Sequence, residues 1–233
     1  MTRTITTKDA GRAGPLPSPL MADPLRRSVS VVSDGMTLPG DLVIPGGAMA
    51  VVAFAHGSGS SRRSPRNIEV AERLQVAGLA TLLFDLLTDG EARDRAKVFD
   101  IGLLARRLEG AVGWLRADPD VRELPIAFFG ASTGAAAALV AAAHLGGDVA
   151  AVVSRGGRPD LAVEALEVVS APTLLIVGGA DTQVLELNRE AQARMGCETR
   201  LEIVPVATHL FEEPGAIERV AELAAAWFVA HVP

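Results

Sequence analysis

Six short, nearly unbroken apolar runs recur along the chain: Val51 to Ala55, Ala80 to Phe84, Ile126 to Phe129, Val149 to Val153, Thr173 to Val177 and Leu201 to Val204. Runs this short, apolar on both faces, read as strands that need cover front and back, which is what a parallel sheet between two layers of helices supplies. The segments between them, at about 67–77, 97–116, 133–145, 160–168, 182–194 and 215–230, carry helix-like patterning. Alternation of this kind predicts an α/β fold with a doubly wound sheet. Upstream, alternating residues from Ser28 to Asp34 and a second run from Leu38 to Ile44 flank Asp34-Gly35, so the chain is expected to enter the sheet through an antiparallel pair. Asn67 and Asp160 are placed to cap their helices, and Gly78 and Gly146 stand where helices should stop.

At 233 residues the chain has room for one domain of the larger α/β kind, expected over 26–233. Residues 1–25 mix charged residues, threonine and glycine with Pro15, Pro17, Pro19 and Pro24, and are expected to form a disordered tail without signal-peptide character. The formal charge of −6 argues against nucleic acid as a partner, and the apolar stretches are too short to span a bilayer. A lone cysteine, Cys197, excludes an internal disulfide and reads as structural, which with the absence of a signal favours the cytoplasm. The four histidines are scattered, and no metal site, nucleotide site or cofactor is expected.

The residues from Leu124 to Leu139 hold Gly130-Ala131-Ser132-Thr133-Gly134 between an apolar strand and an alanine-rich helix. A turn sharp enough to lift a serine hydroxyl clear of a sheet brings backbone segments together, and glycine on either side gives them room. Ser132 is therefore the candidate nucleophile. A serine hydroxyl needs a base to take its proton and an acid to orient that base. Of the histidines, His209 alone follows the last strand and lies at the carboxyl edge of the expected sheet. Asp181 follows the preceding strand through Gly178-Gly179-Ala180 and is the favoured acid, with Asp160 as the alternative. The Thr133 N–H and a donor from His56-Gly57-Ser58-Gly59, assigned to Ser58, are expected to hold the developing oxyanion.

Together these motifs resemble the α/β-hydrolase superfamily over about 26–233, and within it the dienelactone hydrolase-like branch. The resemblance implies a mostly parallel eight-stranded sheet, with Ser132 as nucleophile, His209 as base, Asp181 as its orienter, and Ser58 and Thr133 as oxyanion donors. Dienelactone hydrolases proper carry a cysteine where this chain has Ser132, and a tyrosine near the site where this chain has none. Only 154–171 separate Val153 from the next strand, so no lid domain is expected, and an open site should favour small soluble esters or lactones. Arg62, Arg63, Arg66, Arg155 and Arg158 crowd the same edge, and Arg155 and Arg62 are the residues assigned to an anionic substrate. The leading function is a serine hydrolase working through an acyl-enzyme. Acyl transfer or peptidase activity with the same residues, or a non-catalytic ligand-binding role, are the alternatives.

Overall fold

The structure, a computed structural model, describes residues 23–232. The expected tail falls largely on 1–22, outside the described residues, and the first strand already holds Leu25. In chain order the elements are β1 (Leu25–Ser33), β2 (Met36–Ile44), β3 (Val51–Ala55), α1 (Pro65–Val76), β4 (Ala80–Phe84), α2 (Arg95–Val98), α3 (Ile101–Ala117) and β5 (Ile126–Ala131). There follow α4 (Thr133–Leu145), β6 (Val149–Arg155), β7 (Thr173–Gly178), α5 (Thr182–Arg194), β8 (Thr199–Val204) and α6 (Ala216–His231).

The eight strands form one sheet in the order β1-β2-β4-β3-β5-β6-β7-β8. Strand β2 runs antiparallel to both its neighbours, and every other pairing is parallel. Asp34 and Gly35, both at positive φ, close the β1–β2 hairpin between the paired Ser33 and Met36, as a two-residue turn of the primed type requires. The central strands are buried along their whole length, which accounts for their lack of alternation in sequence. Alternate residues nevertheless serve different cores. Phe128 and Val152 pack with α3 and α4, whereas Phe54, Phe129 and Val153 pack with α1 and α6. The chain leaves β3 for β4 on one side and later places β5 on the other. The carboxyl ends of β3 and β5 therefore border the crevice where a doubly wound sheet reverses its winding.

Three local expectations change. The stretch 160–168 is no α-helix but a single 3₁₀ turn, Pro159–Leu161, followed by turns, and Asp160 pairs with Arg158 instead of capping. Helix α1 starts earlier than expected, with Ser64 as its cap and Pro65 in its first turn, so Asn67 lies inside the helix. The segment 97–116 is broken at Asp100, whose carboxylate caps α3 by accepting from the Leu103 N–H. No lid domain lies between β6 and β7. Behind α3, buried Arg107 meets Glu91 at 3.1 Å and donates to the Ser33 carbonyl at 2.6 Å, tying the helix to the hairpin.

Candidate active site

Ser132 occupies the sharp turn between β5 and α4 with φ 52° and ψ −119°, a conformation that a residue with a Cβ adopts only under strain. Crossing segments hold it there. A side chain at Gly130 would run into the backbone of Ala135, and one at Gly134 into the Ala55 carbonyl of β3. The Ser132 N–H donates to the Arg155 carbonyl at 3.1 Å, and its own carbonyl accepts from the Arg158 N–H at 3.2 Å. The serine is thus fastened through both its N–H and its carbonyl to the end of β6 and the loop that follows it.

His209 lies in the loop after β8 and bridges the other two expected residues. Its Nδ1 is 2.7 Å from Asp181 Oδ2, and its Nε2 is 3.4 Å from Ser132 Oγ. Asp181 precedes α5 but makes no capping bond with its side chain, which leaves the carboxylate to the imidazole. The alternative acid, Asp160, is held by two hydrogen bonds from Arg158. The histidine loop is braced by Glu213, which accepts from the Thr208 N–H at 3.0 Å and the Thr208 hydroxyl at 2.6 Å. The Thr208 hydroxyl and the local backbone donors keep the Glu213 carboxyl below its ordinary pKa.

The loop after β3 reaches the elbow from the other side. Buried His56 accepts from the Leu86 N–H with Nε2 at 3.0 Å and faces the Gly57 carbonyl with Nδ1 at 3.0 Å, so the loop is pinned to the end of β4. Burial lowers the His56 pKa, outweighing the Gly57 carbonyl and the Asp85 charge, which act to raise it. Ser58 and Thr133 lie side by side, but the Ser58 N–H does not stand free. It donates to Thr133 Oγ1 at 2.9 Å. Beside Ser58 a cavity of about 240 Å³ runs between the 56–61 loop and Asp85, Leu87 and Asp89, with Val98 and Leu104 as its floor.

The arginines separate. Arg62 is already committed, its N–H to Asp85 at 2.7 Å and its guanidinium to Asp85 and Asp41, so the substrate role expected for it meets a side chain in use. Arg66 pairs with exposed Glu212. Arg155 is 8% exposed and has no carboxylate partner among the described residues. Sequence reasoning did not foresee the contact of Asn67 with Arg155. Its amide accepts from Arg155, and the only signal was a polar residue beginning an apolar helical pattern.

A family model matches residues 38–230, and its description is the dienelactone hydrolase family. The chain belongs to the dienelactone hydrolase family. Among solved structures it is similar to a dienelactone hydrolase from Anabaena variabilis, with 57% identity and a TM-score of 0.88 over 91% of this chain and all of that one. The fold is also that of Est1E from Butyrivibrio proteoclasticus, at 16% identity, a TM-score of 0.75, and coverage of 88% and 98%. A Mycobacterium tuberculosis protein provisionally named a phosphoribosyl transferase is 56% identical over 227 residues, covering 97% of this chain. This member of the dienelactone hydrolase family spans 51%, about half, of the length of that relative. Among the described residues no helix is long and apolar enough to cross a membrane.

Proposed function

We propose that this chain hydrolyses carboxylic esters or lactones of small, water-soluble substrates through an acyl-enzyme on Ser132. The observation that carries the reading is the continuous contact from Ser132 Oγ through His209 to Asp181, at a turn whose strain serves to present the hydroxyl. His209 Nε2 takes the Ser132 proton as Oγ attacks the carbonyl carbon, and Asp181 holds the other ring nitrogen protonated and stabilises the imidazolium. The C–O bond to the leaving alcohol breaks as His209 returns the proton to that oxygen. Water, deprotonated by His209, then releases the acid and restores Ser132. The tetrahedral oxyanion rests on the Thr133 N–H at the start of α4, with the Ser58 N–H joining once the Thr133 hydroxyl turns away from it.

The short connection between β6 and β7 and the small cavity beside Ser58 favour compact acyl or alcohol groups over long chains. The transferase name belongs to a protein about twice as long, and the residues gathered here carry acyl chemistry. Labelling with a fluorophosphonate and reading intact mass tests the proposal. Wild type should gain one adduct and Ser132→Ala none, with parallel loss of phenyl acetate hydrolysis. An adduct retained in Ser132→Ala would overturn the assignment.

A further inference from the structure

Arg155 ends β6 with its guanidinium buried among α1 and the loop after β8, 8% exposed. A buried cation is tolerated where a carboxylate or a full set of acceptors meets it. Here the described residues supply neither. The one hydrogen bond runs from Nη2 to Asn67 Oδ1 at a long 3.4 Å, and Nε is buried with no partner. The Phe211 ring, centred 5.8 Å from the guanidinium carbon, is the other close contact. Burial first, and then the positive charge of Arg66, bring the Arg155 pKa down to about 10, which still leaves it charged at neutral pH. Arg66 stands beside it, 32% exposed at the side chain and paired with a carboxylate. Its Nη1 meets Glu212 at 3.0 Å, while its Nε is likewise buried without a partner. Both side chains converge on the start of α1, a 12-residue helix with no acid in its first turn, where the backbone dipole adds further positive potential.

We propose that Arg155, Arg66 and Asn67, at the N-terminus of α1, form a binding site for a phosphate group. The unpaired donors come from two guanidinium forks and the Asn67 amide, whose Oδ1 already faces Arg155 and whose Nδ2 remains to donate. That is more than the two oxygens of one carboxylate can accept, and a phosphate brings three acceptor oxygens and a charge of about −1.5 to −2 to set against two arginines. Glu212, at 65% side-chain exposure, gives up Arg66 to the ligand and turns to water. The site adjoins the reaction centre. The Arg155 carbonyl holds the Ser132 N–H, and the next residue, Gly156, lies so close to His209 that a Cβ there would sit 3.6 Å from the imidazole. A phosphate carried on the ester itself can therefore occupy it while the carbonyl sits at Ser132, and free phosphate uses the same donors. Only the first of these rests on the ester reading.

Thermal melting in a chloride-poor buffer tests the site without reference to catalysis. For an affinity of about 2 mM, about 10 mM inorganic phosphate should raise the wild-type Tm by about 3 °C and leave Arg155→Met unmoved. Without phosphate, Arg155→Met should melt at or above wild type, because it removes an unpaired buried cation. No wild-type response, or an equal response in Arg155→Met, overturns the proposal. If Arg155→Met does not fold, phosphate binding to Arg66→Gln followed by calorimetry decides, with at least about a fivefold loss expected and unchanged affinity overturning it. The source is read from 4-acetoxyphenyl phosphate against phenyl acetate. A preference of about tenfold or more in wild type, lost in Arg155→Met, places the phosphate on the substrate. Phosphate binding with no such preference places it free in solution. Absence of any ester turnover beside an intact thermal response would sink the hydrolase reading and leave the phosphate site standing.

Discussion

Arg107 and Arg155 are both buried arginines, and they are treated in opposite ways. Arg107, 2% exposed, has a carboxylate in Glu91 and a carbonyl in Ser33, and it locks α3 to the β1–β2 hairpin far from the elbow. Arg155 has one long bond to an amide and no acid. Around Arg107 the charge is met by a carboxylate of the chain itself, and only its Nε, like that of Arg155, has no partner. Along the carboxyl edge, by contrast, a strained serine and a guanidinium without a carboxylate stand at the ends of two paired strands, and two more residues at positive φ, Val206 and Phe211, flank His209. The comparison separates groups that hold the fold from groups held by it, and only the second kind are left open.

The largest test of that division is Ser132→Ala, which should reduce ester turnover by about a millionfold while the melting temperature stays close to wild type. Asp181→Asn follows, with a fall of about ten-thousandfold in kcat, because the amide presents the imidazole in the wrong tautomer; intact secondary structure by circular dichroism would confine the loss to chemistry. Arg107→Met should do the reverse. Removing the buried one of the two cations beside Glu91, with Lys97 left at 3.4 Å, costs about 3 kcal/mol, or a fall of about 10 °C in Tm, with turnover per folded molecule unchanged. A drop in turnover as large as the stability loss would erase the distinction between frame and edge.

Acid should reach the edge before the frame. His56 has its folded pKa lowered below 6.5, so the unfolded chain binds the extra proton first, and stability declines as pH falls from 6.5 toward the folded value. Burial pushes the Glu91 carboxyl up, but hydrogen bonds from Thr88, the charge of Arg107 and a hydrogen bond from Lys97 more than offset this and hold it below 4.5. Its contribution is present above that value and is lost only as pH falls through the folded pKa. Tm against pH should therefore show a first decline starting near 6.5 that is flattened in His56→Asn, and a second below 4.5 that is not. The smallest effect expected is for Thr133→Val. It removes a hydroxyl that the substrate carbonyl displaces, and kcat/KM should change by less than about threefold.

Much of this division was legible in sequence. The central strands announced themselves because burial on both faces removes polar residues altogether, and the order Ser132, Asp181, His209 followed from which loops reach one edge of a doubly wound sheet. Helical patterning failed at 160–168 because apolar residues at helical spacing there pack against α4 as successive turns, a choice made by space and not by periodicity. Asn67 resembled a cap because caps and buried polar partners draw on the same residue types, and Ser64-Pro65 supplied the better start. The pairing of Arg62 with Asp85 and Asp41 joins three loops and strands distant in sequence, and no local pattern encodes it. The same holds for the contact between Ser58 and Thr133, 75 positions apart.

The backbone angles at residue 132 also bear on the stability of the chain. Glycine would sit at φ 52° and ψ −119° without steric penalty, so mutation toward Ser132→Gly is the downhill direction for folding alone. A melting temperature for Ser132→Gly above that of wild type would measure what it costs the fold to carry a side chain at this turn.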